Sequence, residues 1–266
     1  MTSTSEEGPA VAAVAPAVSL RGVTARRGDR TIWAEGSFDI ATGAVVGIIG
    51  PNGSGKSTLL ELLLGLVEPA AGTIEVLGRT PHRGDGRIGY VPQDDDARAM
   101  EAVRCRELVA FGLDGGSWGW RRRSADERAA VDAALDAVGA TAYADRRLTQ
   151  VSGGQRQRVA IAQAVVGDPE LLLLDEPLAG LDVRNQHEVA TLLGRVSADR
   201  SMTTLVVTHD INPLLGVLTG AVYLLDGHPH YAPIGDVVDE HLLSHLYGTS
   251  IKVVRTAQGD LFTRSG

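Results

Sequence analysis

The sequence predicts an α/β fold with a mainly parallel central sheet. Three short runs of apolar and β-branched residues, Ala44–Ile49, Leu171–Asp175 and Thr203–Thr208, have the length of strands buried on both faces. Helical patterns alternate with them at Ser57–Leu66, Gln155–Val166 and Asn185–Ala198. The stretch from about Met100 to Thr149 is rich in Ala, Arg, Asp and Glu and poor in β-branched runs, so it reads as an inserted helical subdomain.

In chain order, β-like patterning covers Val18–Val23, Thr31–Trp33 and Ser37–Ile40, with turn signals at Gly28-Asp29 and Thr42-Gly43. A Gly-rich loop follows the first buried run, and the leucines of Ser57–Leu66 then recur at helical spacing. Thr73–Leu77 and Ile88–Val91 are further strand candidates. In the middle, Ser124-Ala125-Asp126-Glu127 is a capping box, with Val131, Leu135 and Val138 at amphipathic spacing behind it. Arg121-Arg122-Arg123, just upstream, reads as the solvated flank of that helix. Near the end, Ala221–Leu225 predicts a strand and Val237–Tyr247 a terminal helix.

The 266 residues are 44% hydrophobic, enough for one large domain with a smaller insertion. Net charge is −8, 23 of the 25 basic residues are arginine, and no basic stripe is present, which argues against a nucleic-acid partner. The single cysteine, Cys105, excludes an internal disulfide and is expected to be a buried structural residue. No run approaches the ~18 apolar residues of a membrane span. Ala10–Val18 is short, contains Pro16 and follows Glu6 and Glu7, so it does not resemble a signal peptide. Residues 1–16 are expected to form a flexible tail and 17–266 the folded domain, soluble and reaching a membrane only through a partner.

Gly50-Pro51-Asn52-Gly53-Ser54-Gly55-Lys56-Ser57, followed by Thr58, matches the phosphate-loop pattern in its required context of buried strand, loop and helix. Glycines let the backbone wrap phosphate oxygens and present N–H groups at a helix N-terminus. Lys56, one of only two lysines, would neutralise β/γ charge, and Ser57 would offer its hydroxyl to Mg²⁺. Leu171–Leu174 end in Asp175-Glu176, an acidic pair at the C-terminal edge of a buried strand, where open α/β sheets bind ligands. Asp175 would serve the Mg²⁺ shell, and Glu176 would polarise an attacking water. The absence of an Asn-Lys pair argues against a guanine-specific protein.

Val151-Ser152-Gly153-Gly154-Gln155 then opens a helix upstream of the acidic strand. Here the chain resembles the ATP-binding subunits of ABC transporters, whose signature is Leu-Ser-Gly-Gly-Gln. The resemblance runs from Val18 onward and includes Tyr90-Val91-Pro92-Gln93 (Q-loop), Ala179-Gly180-Leu181-Asp182 (D-loop) and Val207-Thr208-His209-Asp210 (switch histidine), in the family's order. It implies a P-loop NTPase, RecA-like core with an antiparallel β subdomain and a helical subdomain at about residues 97–152, using ATP and Mg²⁺. It further implies that two copies pair head-to-tail, so that Ser152, Gly153, Gly154 and Gln155 close on ATP held by the partner. In that scheme Gln93 senses Mg²⁺ and the lytic water, His209 contacts the γ-phosphate, and Asp182 links the two sites. The implied partners are a membrane permease and, indirectly, an extracellular solute-binding protein, with the subunit peripheral on the cytoplasmic face.

Three positions depart from the family pattern. Arg27, beside Arg26, stands where an aromatic residue usually stacks on adenine, and a guanidinium plane can also stack on a base. Val151 replaces the signature leucine. Asp94-Asp95-Asp96-Ala97-Arg98 places acid where the family meets its permease, so either a basic partner helix or a plain solvated loop is expected there. Thr208–Leu215, Gln155-Arg156-Gln157-Arg158 and His245-Leu246-Tyr247-Gly248 resemble the zinc/manganese importer branch. Import of a siderophore or other small solute is the alternative cargo, and a soluble non-transport ATPase or a non-catalytic module are the other classes. His228, His230, His241 and His245 are expected to be surface residues rather than a metal site.

Overall fold

The computed structural model describes residues 15–93, 102–113, 123–255 and 261–265. Expectations for residues 1–14 of the tail, for the acidic stretch 94–98 and for Arg121 and Arg122 lie outside the described residues. Strands β1 (Val18–Arg27), β2 (Arg30–Ile40) and β4 (Ala71–Val76) form an antiparallel sheet in the order β2-β1-β4. Strands β3 (Val45–Ile49), β5 (Ile88–Val91), β6 (Leu171–Asp175), β7 (Thr203–Val207), β8 (Gly220–Leu225) and β9 (His228–Pro233) form the central sheet. Its order is β5-β6-β7-β3-β8-β9, parallel except for the last pair.

Period-two alternation assigns each face of this sheet to a different core. Leu172 and Leu174 of β6 join one hydrophobic cluster with the helical subdomain. Their neighbours Leu171 and Leu173 join a second, shared with the antiparallel sheet and helix α1 (Lys56–Leu63). Such two-sided burial is why β3, β6 and β7 read as unbroken apolar runs rather than alternating ones.

The subdomain contains α2 (Cys105–Phe111) and α3 (Ala125–Ala137), packed on α4 (Gly153–Val165). The capping box of Ser124 and Glu127 forms as expected, and Val131, Leu135 and Val138 are buried behind it. Cys105 is fully buried, and burial pushes its thiol pKa up, which leaves an inert packing residue. Helices α5 (Val183–Asp199), α6 (Ile234–Val237) and α7 (Glu240–Tyr247) complete the set, and β10 (Ile251–Arg255) pairs with β11 (Leu261–Ser265) as a C-terminal hairpin. Among the described residues no helix is long and apolar enough to cross a membrane.

Several boundaries differ from the sequence expectation. Thr31–Trp33 and Ser37–Ile40 belong to one strand, because Glu35 at φ 57° accommodates an extra residue as a bulge between the Ala25–Trp33 and Val23–Gly36 pairs. Helix α1 stops at Leu63, short of Leu66. Gly65 turns left-handed at φ 64°, and Leu66 N–H donates to the Glu61 carbonyl at 2.8 Å, a Schellman stop. Strands β9, β10 and β11 lie outside the sequence expectation: β9 contains two histidines and two prolines, and β10 and β11 hold no more than two adjacent apolar residues each. The helix expected around Val237–Tyr247 is α7, which starts only at Glu240; Val237 instead ends the short α6, and Asp239 caps α7 through the Leu242 N–H.

Candidate nucleotide site at the edge of the central sheet

Strand β3 delivers the Gly50–Ser57 loop to the C-terminal edge of the sheet, and α1 leaves from it. Gly55, the N-cap of α1, has φ 100°, and a Cβ there would lie 2.4 Å from Ile32 Cγ2 and 2.8 Å from Trp33 Cδ1. Both backbone angle and close approach therefore demand glycine at this position. Lys56 is buried, and its Nζ donates to the carbonyl oxygens of Gly50 at 2.8 Å and Pro51 at 3.0 Å. Desolvation pushes the Lys56 pKa down, against the charges of Glu176 and Asp175, which favour its ammonium form. Ser54 Oγ is buried beneath the loop without a hydrogen-bond partner, a donor that an anion in the cradle would satisfy.

Asp175 ends β6 and is 7% exposed. Burial, and then the charge of Glu176, push its carboxyl pKa up; the Ser57 hydroxyl and Lys56 ammonium act the other way. An oxygen-rich pair of a buried carboxylate and a helix-start hydroxyl suits a hard cation such as Mg²⁺. An acid whose pKa is raised on folding loses stability as pH climbs from the ordinary carboxylate value through the folded one, and above that the penalty is fully present. Asp175→Asn is therefore expected to raise the melting temperature by a few degrees at neutral pH, with the gain shrinking as pH falls into the carboxylate range. A melting temperature equal to or below that of the parent at neutral pH would contradict this account.

Glu176 follows in a left-handed conformation, φ 52°, with its N–H donating to Val207 O at 3.1 Å and its carbonyl accepting from Ala179 N–H at 3.1 Å. This turn aims the carboxylate across the strand ends. Gln93 Nε2, just past β5, donates to Glu176 Oε2 at 3.0 Å, while His209 Nε2, just past β7, meets Oε1. Three residues spread over 117 positions of sequence thus converge on one carboxylate, on adjacent strands β5, β6 and β7.

The remaining predicted residues lie elsewhere. Ser152 caps α4, accepting from Gln155 N–H at 3.3 Å, while Gln155 Oε1 accepts from Ser152 N–H at 2.9 Å. Among the described residues no hydrogen bond joins 152–155 to the phosphate loop. Gly154 instead packs on α5, where a Cβ would come within 2.4 Å of Asn185 Oδ1. Asp182 caps α5, accepting from Asn185 N–H at 2.9 Å and Asn185 Nδ2 at 2.7 Å; the backbone bond is the main reason its pKa is lowered. Val151 is buried, as the leucine it replaces would be. Arg27 Nη2 lies 2.5 and 2.6 Å from the two oxygens of Glu61, one helical turn beyond Ser57, so its guanidinium is held over α1.

Sequence reasoning did not single out Glu61, Asn185 or Tyr247, which touch Arg27, Asp182 and His209, nor Asn212, which hydrogen-bonds Asp210 beside His209. The spacing Ser57–Glu61 on one helix face was the signal available for the first. The tail histidines are engaged locally: His228 Nδ1 meets Ala34 O at 3.0 Å, His230 stacks on Tyr223, and His245 pairs with Asp226 at 3.4 Å. Among the described residues no group of three or more His, Cys, Asp or Glu could hold a metal ion.

Comparison with known proteins converges on one family. The family model for the ABC transporter matches residues 34–179. The zinc uptake system ATP-binding protein ZurA of Listeria innocua is 40% identical over 177 residues, 65% of this chain and 69% of that protein. The sulfate/thiosulfate import ATP-binding protein CysA of Mycobacterium bovis is also 40% identical, over 198 residues, 73% of this chain and 54% of that protein. Among solved structures, an inward-facing transporter assigned to the metal-chelate type has a chain that superposes with TM-score 0.80 at 27% identity. That match covers 94% of this chain and 97% of the other.

Proposed function

The chain belongs to the ABC transporter family, and from that premise we propose that it is the ATP-hydrolysing subunit of a divalent-metal importer. That it is the ATP-binding subunit of an ABC importer, with ATP hydrolysis coupled to transport, follows from the family and from its importer relatives. The convergence of Gln93 and His209 on Glu176, beside the phosphate loop, carries the assignment of roles within the site.

Residues Gly50–Thr58 bind the ATP phosphates through loop N–H groups, with Lys56 balancing their charge. Asp175 and Ser57 would hold Mg²⁺, which would supply neutralisation of the phosphate charge. Glu176 takes a proton from the attacking water, while Gln93 and His209 orient the carboxylate and the water between them. Arg27, fixed by Glu61, presents its guanidinium plane to the adenine ring. Ser152–Gln155 and Asp182 act on a second copy: among the described residues no hydrogen bond joins them to their own loop, and the backbone N–H groups of Gly153 and Gly154 at the α4 N-terminus are offered to that copy's γ-phosphate. The subunit then sits on the cytoplasmic face of a membrane, bound to a permease that receives solute from an extracellular binding protein.

Metal as cargo is supported by the zinc-uptake relative, by the metal-chelate type structure and by the segment Thr208–Leu215. The sulfate relative, equal in identity, favours a second reading in which the cargo is a small anion. Deleting the subunit from its host and following growth under chelation separates them. Metal import predicts a growth defect rescued by zinc or manganese, with sulfate uptake intact. Normal metal uptake with impaired sulfate uptake would replace the first reading with the second.

A further inference from the structure

The loop that carries His209 is held from behind by the C-terminal end of the chain. Asn212, three residues beyond His209, makes three hydrogen bonds to one residue of the hairpin, Thr263. Its Nδ2 donates to Thr263 O at 3.1 Å, and its Oδ1 accepts from Thr263 N–H at 2.7 Å and Thr263 Oγ1 at 3.0 Å. The loop is stitched internally as well. Asn212 N–H donates to Asp210 Oδ1 at 2.9 Å, and Thr208 Oγ1 donates to Asp210 O at 2.7 Å. Tyr247, at the end of α7, donates its hydroxyl to the backbone carbonyl of His209 itself at 3.4 Å. Burial and the nearby Asp210 push that phenol up to about 12, so it remains a donor at any working pH.

The hairpin is itself anchored. Ile251 N–H donates to Ser244 Oγ at 2.9 Å and Val253 N–H donates to Glu240 Oε1 at 2.9 Å, fastening β10 along α7. Ile251 and Val253 pack on a third hydrophobic cluster that contains Ile49, the last residue before the phosphate loop, and Ile211, two residues after His209. The tail block therefore touches the chain immediately beside both halves of the hydrolytic site.

We propose that Asn212 is a positioning residue for ATP hydrolysis, fixing His209 against Glu176 by tying the His209 loop to the C-terminal hairpin. The inference rests on the role assigned above to His209. Misplacing an orienting group by a fraction of its reach lowers turnover without altering the phosphate cradle, so the effect belongs in kcat and not in ATP affinity. The test uses the full-length chain, with circular dichroism and thermal melting confirming that each variant is folded. Asn212→Ala is expected to lower kcat about tenfold with ATP Kd unchanged. Asn212→Asp keeps the two bonds accepted from Thr263 and loses the donated one, and is expected to fall between parent and Asn212→Ala. Should Asn212→Ala not fold, Asn212→Asp carries the test alone. In single-turnover hydrolysis, His209→Ala combined with Asn212→Ala is expected to be no slower than His209→Ala. Parental kcat in a folded Asn212 variant overturns the proposal, as do losses that multiply in the double variant. Full hydrolysis by His209→Ala overturns the reading of His209 first and this inference with it.

Discussion

Glu176→Gln is expected to remove ATP turnover while leaving ATP binding intact, with kcat falling about 10²–10⁴-fold, the range of a lost general base. The exchange is isosteric and leaves the left-handed turn at this position with its backbone bonds to Val207 and Ala179. What it removes is the negative charge. Gln93 Nε2 would still find an acceptor, but an amide cannot take a proton from water, and His209 would face a neutral group instead of a carboxylate. With binding preserved and hydrolysis blocked, an ATP-bound dimer is expected to accumulate. Phosphate release and light scattering in the presence of ATP measure the two halves of this result. Near-parental turnover would remove Glu176 from the role of base.

The second large effect is at the other end of the site. Lys56→Ala is expected to raise the Kd for ATP more than about a hundredfold, since each charge-assisted bond to a phosphate contributes roughly 1.5–3 kcal/mol and the amine can make more than one. The fold should survive, because the ammonium is held in a desolvated position that already disfavours its charge, and the carbonyls of Gly50 and Pro51 that it caps lie at the sheet edge. Direct binding of labelled ATP gives the answer, and unchanged affinity would refute the phosphate-loop reading. The pair of variants separates functions by design: one loses chemistry and keeps ligand, the other loses ligand.

Both predictions rest on residues legible in the sequence, because the chemistry there is local. A phosphate loop needs glycines and a lysine at fixed spacing, within one strand, loop and helix, and its physical demands show as consecutive letters. The same holds for the buried strands β3, β6 and β7, whose two-sided burial leaves no polar residue in the run except at the ends. The helical subdomain announced itself through the Ser124 capping box. What stayed illegible depended on neighbours remote in sequence. The bulge at Glu35 joins two expected strands into one, and it exists because β1 supplies a ladder on either side of the extra residue. Strand β9 is polar and proline-bearing, and it is a strand because β8 offers an edge to pair with.

The sequence by itself determined the order of the motifs, the residue types assigned here to phosphate and Mg²⁺, and the family to which the chain belongs. Each of those is a matter of residue type and short spacing. Tertiary structure alone decided which of those residues meet: that Gln93 and His209 converge on Glu176, and that Arg27 is held by Glu61. It also decided that Asp182 and Gly154 meet at Asn185, and that Thr263 reaches back to brace the His209 loop through Asn212. The reason is physical. A parallel sheet places side by side strands that lie far apart in the chain, so the partner of a residue at one strand end is set by strand order and register, which local pattern does not carry.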